Sequence, residues 1–175
     1  GRAEGPAKVT GQAMFPADVN LPGTLVGKCL RSPFPYAKIV SIDPNSVAVA
    51  RQVPGVHAVL TADDIPPHLG GRMLRDMPIL ARDVVRFAGQ KVVAVAAEND
   101  DIAEEALNLI QIKYEAMEPI LDPSDSIKPG APVLHPDFAD YAGTPDGAQA
   151  YPNAAGHGSW SHGDVEQGFS EADLI

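Results

Sequence analysis

Apolar residues in the first half of the chain fall into short runs broken by glycine and proline, a pattern that predicts strands with brief helical interludes. Val9 to Phe15 and Leu25 to Leu30 read as extended and are separated by a turn at Asn20-Leu21-Pro22-Gly23. Tyr36 to Ile42 follows, with Ile39 and Val40 between Lys38 and Ser41. Asp43-Pro44-Asn45 supplies a capping side chain and a proline suited to a first helical turn, so Ser46 to Gln52 is predicted helical and Pro54-Gly55 ends it. Val56 to Leu60 resumes as a strand. Thr61 to Ile65 reads as a capped turn stopped by Pro66-Pro67, and residues 66 to 78 read as an exposed loop.

Further along, Val92 to Ala97 is an unbroken β-prone apolar run, the pattern of a central strand covered on both faces. Asp100-Asp101 is placed to cap a helix from Ile102 to about Leu109. Ile102, Ala103, Ala106, Leu107 and Leu109 form its apolar face, opposite Glu104, Glu105 and Asn108. Ile110, Ile112 and Tyr114 then alternate with Gln111, Lys113 and Glu115, so the period changes from helical to strand-like. After Glu118-Pro119 recurring prolines and glycines leave little room for regular structure, and the segment reads as a long arm that lies across a partner surface or is partly disordered when alone. Asp164 is a candidate cap for a turn or two of helix near the end, and Asp173-Leu174-Ile175 reads as the start of an unfinished strand.

Charge narrows the classes of partner. Over 175 residues, 23 acidic against 13 basic side chains give a formal charge of -10, which repels a phosphate backbone and argues against nucleic acid. No apolar run reaches the roughly 20 residues needed to cross a bilayer, so no membrane contact is expected. Cys29 is the sole cysteine, which rules out an internal disulfide and a multi-thiolate metal cluster, and a reducing, cytoplasmic setting is expected. Cys29 itself reads as a small buried hydrophobe rather than a reactive thiol.

Catalytic patterns are sparse. The five histidines stand at 57, 68, 135, 157 and 162, and His157 and His162 are spaced wrongly for one helix face. Ser159-Trp160-Ser161-His162-Gly163 has the outline of a nucleophile elbow but lacks its first glycine and a preceding buried strand. Gly70-Gly71 and Gly89-Gln90 are isolated turns without a phosphate-binding pattern. The acidic pairs at 63/64, 100/101 and 104/105 read as caps and a solvated helix face. No catalytic, cofactor-binding or metal-binding residue is assigned.

The order of the landmarks says more than any one of them. Lys8 to Ala13, Leu25 to Pro33 with Arg31-Ser32-Pro33, Tyr36 to Ile39, Pro54-Gly55-Val56 with Leu60-Thr61, and Val85-Arg86-Phe87-Ala88-Gly89-Gln90-Lys91-Val92 come first. The Ala103 to Ala106 helix, Lys113-Tyr114-Glu115 and Gly163-Asp164-Val165-Glu166 complete the series. Together these resemble the N-terminal α/β hammerhead domain of the large subunit of molybdenum hydroxylases, the family of xanthine dehydrogenase, aldehyde oxidase and aerobic carbon monoxide dehydrogenase. Met14-Phe15-Pro16, where the family tends to have an aromatic without proline, and Tyr36, where histidine is common, depart from the pattern.

The resemblance implies an α+β fold in which a mixed sheet carries two helices. It divides the chain into a hammerhead domain over residues 1–120 and a linker arm over 121–175 leading toward molybdopterin-binding domains. It further implies a parent oxidoreductase that hydroxylates purines, aldehydes or related substrates with oxygen from water. Such a parent holds a molybdopterin cofactor and passes electrons through 2Fe-2S clusters to FAD on partner domains or subunits. This chain would then serve as a structural and docking domain, not catalytic by itself, whose partners are those remaining domains. Arg31, Ser32, Gly89 and Gln90 are the candidates for contact across that boundary, with ordinary turn chemistry as the alternative. A free-standing, non-catalytic protein-binding module that grips a partner with the 119–162 arm, or a separately encoded subunit, is the competing reading.

Overall fold

The computed structural model of the chain describes residues 2–19, 21–144, 153–154, 158 and 160–174. Two compact units divide it, one made of 1–66 and 80–116 and the other of 67–79 and 117–175.

The first unit is built around a valine-rich strand. Strands β1 (Val26–Arg31), β2 (Ala37–Ile42) and β3 (Val56–Leu60) lie where the alternation placed them, with helix α1 (Gly5–Val9) before them and α2 (Pro44–Arg51) between β2 and β3. The short strands β4 (Leu69–Gly70) and β5 (Met77–Pro78) belong to the second unit. Back in the first unit, β6 (Val84–Val85) and β7 (Lys91–Ala97) precede helix α3 (Asp100–Leu109) and strand β8 (Ile112–Ala116).

The sheet order is β1-β7-β3 in one sheet and β6-β2-β8 in a second. The run Val92 to Ala97 is thus central, as its lack of polar residues required. The α+β class holds, but the strands assigned to one mixed sheet lie in two small sheets whose described ladders are all antiparallel. The cause is the short passage from α3 into β8, residues 110 and 111, which carries the chain into the second sheet beside β2 instead of back alongside β7.

Helix positions follow their caps. Asp43 caps α2 by accepting from the backbone N–H groups of Asn45 and Ser46, at 3.1 and 3.2 Å. Asn99, not Asp100 or Asp101, caps α3, its Oδ1 accepting from Ile102 N–H at 2.9 Å, while the two aspartates occupy the first turn and favour its positive end. Ala103, Ala106 and Leu107 are buried, whereas Leu109 is exposed, because the helix ends there and its last turn leaves the core-facing stripe. Ser46 joins the helices to the sheet: its hydroxyl donates to Asp43 O at 2.7 Å and accepts from Gln111 N–H at 3.0 Å.

The core is small and aliphatic. Val47, Val59, Val85, Val92, Val93 and Val95 pack with Ala37, Ala50, Ala97, Ala103 and Ala106 into one cluster. Fully burying each valine is worth roughly 1.5–3 kcal/mol. Alanines let both helices approach the sheet closely, and leave the rigid valines to fill the layer between.

The expected strand from Val9 to Phe15 does not form. Residues 5–9 are helical, supported by an ion pair from Lys8 to Glu4 and by the Thr10 hydroxyl donating to Pro6 O at 2.8 Å. Val9 is 86% exposed, so it has no sheet to bury against, and Gly11 turns the chain with φ of +73°. Of the turn predicted at 20–23, Asn20 lies outside the described residues, and Leu21 O accepts from both Thr24 N–H and its hydroxyl.

In the second unit the loop expected over 66–78 is exposed and carries the β4–β5 ribbon. Among the described residues the arm holds only short elements, α4 (Pro123–Ser126), a 3-10 turn at Phe138–Asp140 and α5 (Val165–Ser170), the last capped by Asp164 as expected. Asn153, with φ of +59°, ties the arm to itself. Its amide accepts from Leu134 N–H at 2.7 Å and donates to Ser126 O and Pro132 O at 3.0 and 2.9 Å. Asp173 and Leu174 are not in a strand, and Ile175 lies outside the described residues.

Candidate functional site

The four interface candidates meet at one end of the β1–β7 ladder. Pairing runs from Val26 opposite Ala97 to Leu30 opposite Val93, then shifts so that Arg31 faces Lys91. Such an irregularity bends a strand end and re-aims the residues beyond it. Ser32 N–H then donates to Gln90 O at 2.9 Å, Gly89 N–H donates to Ser32 O at 2.8 Å, and Arg31 Nη1 donates to Gly89 O at 2.9 Å. These four residues form one hydrogen-bonded clasp.

Each has a local reason for its place. Gln90 N–H donates to Phe87 O at 3.2 Å to close a tight turn, and Gly89 stands in it with φ of +92°, a conformation costly to other residues. Gln90, only 7% exposed, turns its side chain inward, where Oε1 accepts from Arg86 N–H at 2.7 Å. Ser32 is buried, and its hydroxyl both accepts from Phe34 N–H and donates to Phe34 O, each at 3.0 Å. That holds Phe34 against Tyr114, ring centres 5.2 Å apart. The Tyr114 hydroxyl is buried without a hydrogen-bond partner among the described residues, and burial pushes its pKa up.

The clasp contains no activated nucleophile or acid–base pair, and it holds a turn centred on Ala88-Gly89 whose first residue is Phe87, 58% exposed. Phe87 was not among the sequence candidates. Its signal was an aromatic directly before Ala88-Gly89-Gln90, at the first position of that turn.

A second group lines an open cleft of 470 Å³ in the same unit, with Arg51, Asp63, Asp64, Arg82 and Asp83 above Ile42 and Val47. Here the charges are spent on holding the Thr61–Asp64 turn. Arg51 donates to Val59 O at 2.9 Å and to the Asp64 carboxylate at 3.4 Å, and Arg82 donates to Asp63 and to Ala62 O. Asp64 accepts from Thr61 N–H at 2.7 Å and from its hydroxyl at 2.9 Å. Those two bonds, the backbone one first, and the Arg51 charge hold its carboxyl below the ordinary range. Asp100 and Glu104 are likewise engaged, by Lys28 at 3.2 and 3.1 Å.

The remaining sequence candidates are not brought together. Cys29 is half-buried in β1 opposite Ala94. His57 stands 3.7 Å from Glu98, His135 contacts the Tyr141 hydroxyl, and His162 lies near the Trp160 ring. His157 and Ser159 lie outside the described residues. Among the described residues there is no group of three or more His, Cys, Asp or Glu side chains placed to hold a metal ion. No helix among them is long and apolar enough to cross a membrane.

Known proteins resemble this chain in sequence and fold. Residues 10–118 match the family described as aldehyde oxidase and xanthine dehydrogenase, a/b hammerhead domain. A probable xanthine dehydrogenase subunit of Bacillus subtilis is 38% identical over 175 residues, covering 99% of this chain and 21% of the relative. The nicotinate dehydrogenase large molybdopterin subunit of Eubacterium barkeri is 33% identical over 169 residues, covering 96% of this chain and 36% of the relative. A crystal structure of the Cu,Mo-CO dehydrogenase in its carbon monoxide reduced state superposes with a TM-score of 0.75 at 32% identity, covering 99% of this chain and 22% of that one. The chain therefore spans between about a fifth and a third of the length of these proteins. With the family match spanning every strand of its two sheets and the fold shared with a molybdenum enzyme, the chain belongs to the a/b hammerhead domain family of aldehyde oxidase and xanthine dehydrogenase.

Proposed function

We propose that this chain is the structural and docking domain of a molybdenum-dependent hydroxylase, acting in the cytoplasm, with residues 1–120 as the hammerhead and 121–175 as the arm toward the molybdopterin-binding domains. The observation that carries the reading is coverage: nearly the whole chain aligns with about a fifth of a protein named as a xanthine dehydrogenase subunit. Chemistry on the parent would then be built by residues outside the segment, and 2Fe-2S and FAD partners would receive the electrons.

The open cleft does not fit molybdopterin itself. An anionic pterin cofactor needs a cluster of free donors, and the two guanidinium groups of the open cleft are committed to Asp63, Asp64 and backbone carbonyls, with Asp83 on the same wall. The domain instead contributes a rigid surface. The clasp of Arg31, Ser32, Gly89 and Gln90 fixes the Phe87 turn, and an exposed aromatic on a preorganised turn is suited to anchor a neighbouring domain at small entropic cost.

Removing residues 1–120 from the full-length large subunit tests the reading. The expected result is a subunit that no longer retains its molybdenum cofactor or assembles. A truncated enzyme with full cofactor content and an unchanged turnover rate overturns it.

A further inference from the structure

The β4–β5 ribbon is not used by the clasp or the cleft, and the way it is held is unusual. Leu69 pairs with Pro78 and Gly70 with Met77. Within the turn, a Cβ on Gly71, whose φ is +151°, would lie 1.8 Å from Leu74 O. The arm approaches as closely: a Cβ on Gly143, φ +90°, would lie 1.9 Å from Met73 O, and Arg75 N–H donates to Ala142 O at 2.9 Å. Backbone thus rests directly on backbone at two glycines, which fixes the course of the ribbon's backbone.

What the ribbon displays differs from the rest of the chain. Met73 is 85% exposed and Met77 61%, with Ile79 exposed beside them. Arg72 and Arg75 are exposed and make no ion pair among the described residues, whereas Arg51 and Arg82 each hold an aspartate. Asp76 is the single carboxylate between residues 67 and 79, in a chain whose formal charge is -10. The sign of the charge is therefore reversed locally, next to exposed methionine.

We propose that this ribbon is a docking surface for a carboxylate-bearing face of a second subunit. The inference rests on the reading that the chain is part of a multi-subunit hydroxylase, and relatives named as subunits, such as the large molybdopterin subunit of nicotinate dehydrogenase, support that setting. Methionine and arginine are enriched in interfaces, arginine pairs with carboxylate through two parallel bonds, and a prefixed ribbon loses little freedom on binding. An acidic partner is repelled by the rest of the chain and admitted here, so the charge also sets the docking orientation.

The test uses the full-length, cofactor-loaded large subunit and measures its affinity for its partner subunits in low and high salt. R72E/R75E is expected to weaken association by about tenfold or more and to flatten its salt dependence, while R72K/R75K retains most of the affinity. M73A/M77A is expected to weaken association with the salt dependence intact. Wild-type affinity and salt response in R72E/R75E overturn the proposal. So does loss of cofactor or of folding in R72E/R75E itself with the partner affinity of the remaining folded subunit unchanged, since the ribbon would then pack within the large subunit. A wild-type large subunit that carries no molybdenum cofactor counts instead against the functional reading, and leaves the affinity comparison to decide the docking surface.

Discussion

Replacing Gln90 with methionine keeps the length and packing of a nearly buried side chain but removes the acceptor that Arg86 N–H uses at 2.7 Å. The bond is part-buried, and a donor shielded from water and deprived of its partner costs about 1–3 kcal/mol, of which the apolar replacement offsets little because the stem was already packed. The backbone bonds from Ser32 to Gln90 and from Gly89 to Ser32 survive, so the loss is confined to the Phe87 turn. For a chain of this size each kcal/mol moves the midpoint by about 2–4 °C, so the Tm should fall by about 2–12 °C. Thermal denaturation followed by circular dichroism reads the midpoint, and hydrogen exchange at the Arg86 amide reads the local opening. A Gln90→Met protein with both the wild-type Tm and wild-type Arg86 exchange refutes the reasoning, and the clasp is then held by its backbone bonds alone.

The same geometry sets three further outcomes. Gly55→Ala and Gly89→Ala both force a side chain into the left-handed region, at φ of +87° and +92°, for about 1–2 kcal/mol each. At Gly55 the new Cβ also meets Ile102 Cδ1 at 2.7 Å while at Gly89 it meets nothing within 4 Å, so chemical denaturation should show Gly55→Ala as the more damaging; equal losses would contradict this. Asp64, whose folded pKa is depressed chiefly by Thr61 N–H, contributes stability that is present at neutral pH and lost as pH falls below the ordinary carboxylate range near ~4, so Asp64→Asn should be less stable than wild type at pH 7, with the gap closing in acid. A gap that widens toward low pH reverses the sign and rejects the assignment. Tyr114→Phe removes a buried hydroxyl that has no partner among the described residues while keeping the ring against Phe34, so its Tm should equal or exceed that of wild type, and a fall of more than about 1 kcal/mol in unfolding free energy counts against it.

The parts of the fold that were legible in the sequence are those fixed by local pattern. The polar-free run at 92–97 could only be a central strand, and Asp43-Pro44 and Asp164 capped the helices they precede. Local pattern misled where tertiary contact was missing, as at Val9, which alternates like a strand residue but has no sheet edge to join. The Asn99 cap was passed over because two aspartates follow it, and an acidic first turn carries the same signature as an acidic cap.

For the candidate site, glycine beside glutamine and arginine beside serine marked strand ends, but nothing in one dimension showed that the two ends share a clasp. That depends on the register shift at Leu30 and Arg31, which is a property of the paired strands. The backbone contacts at Gly71 and Gly143 were equally hidden, since a glycine's neighbours across the fold leave no mark beside it in sequence.

The molybdenum and pterin content of the purified 175-residue chain, set beside that of the full-length large subunit carrying it, is the most direct measurement of the central claim. Cofactor is expected in the full-length subunit, and neither molybdenum nor pterin in the chain alone. Cofactor that co-purifies with the chain alone, or turnover of a purine or aldehyde by it, contradicts the account.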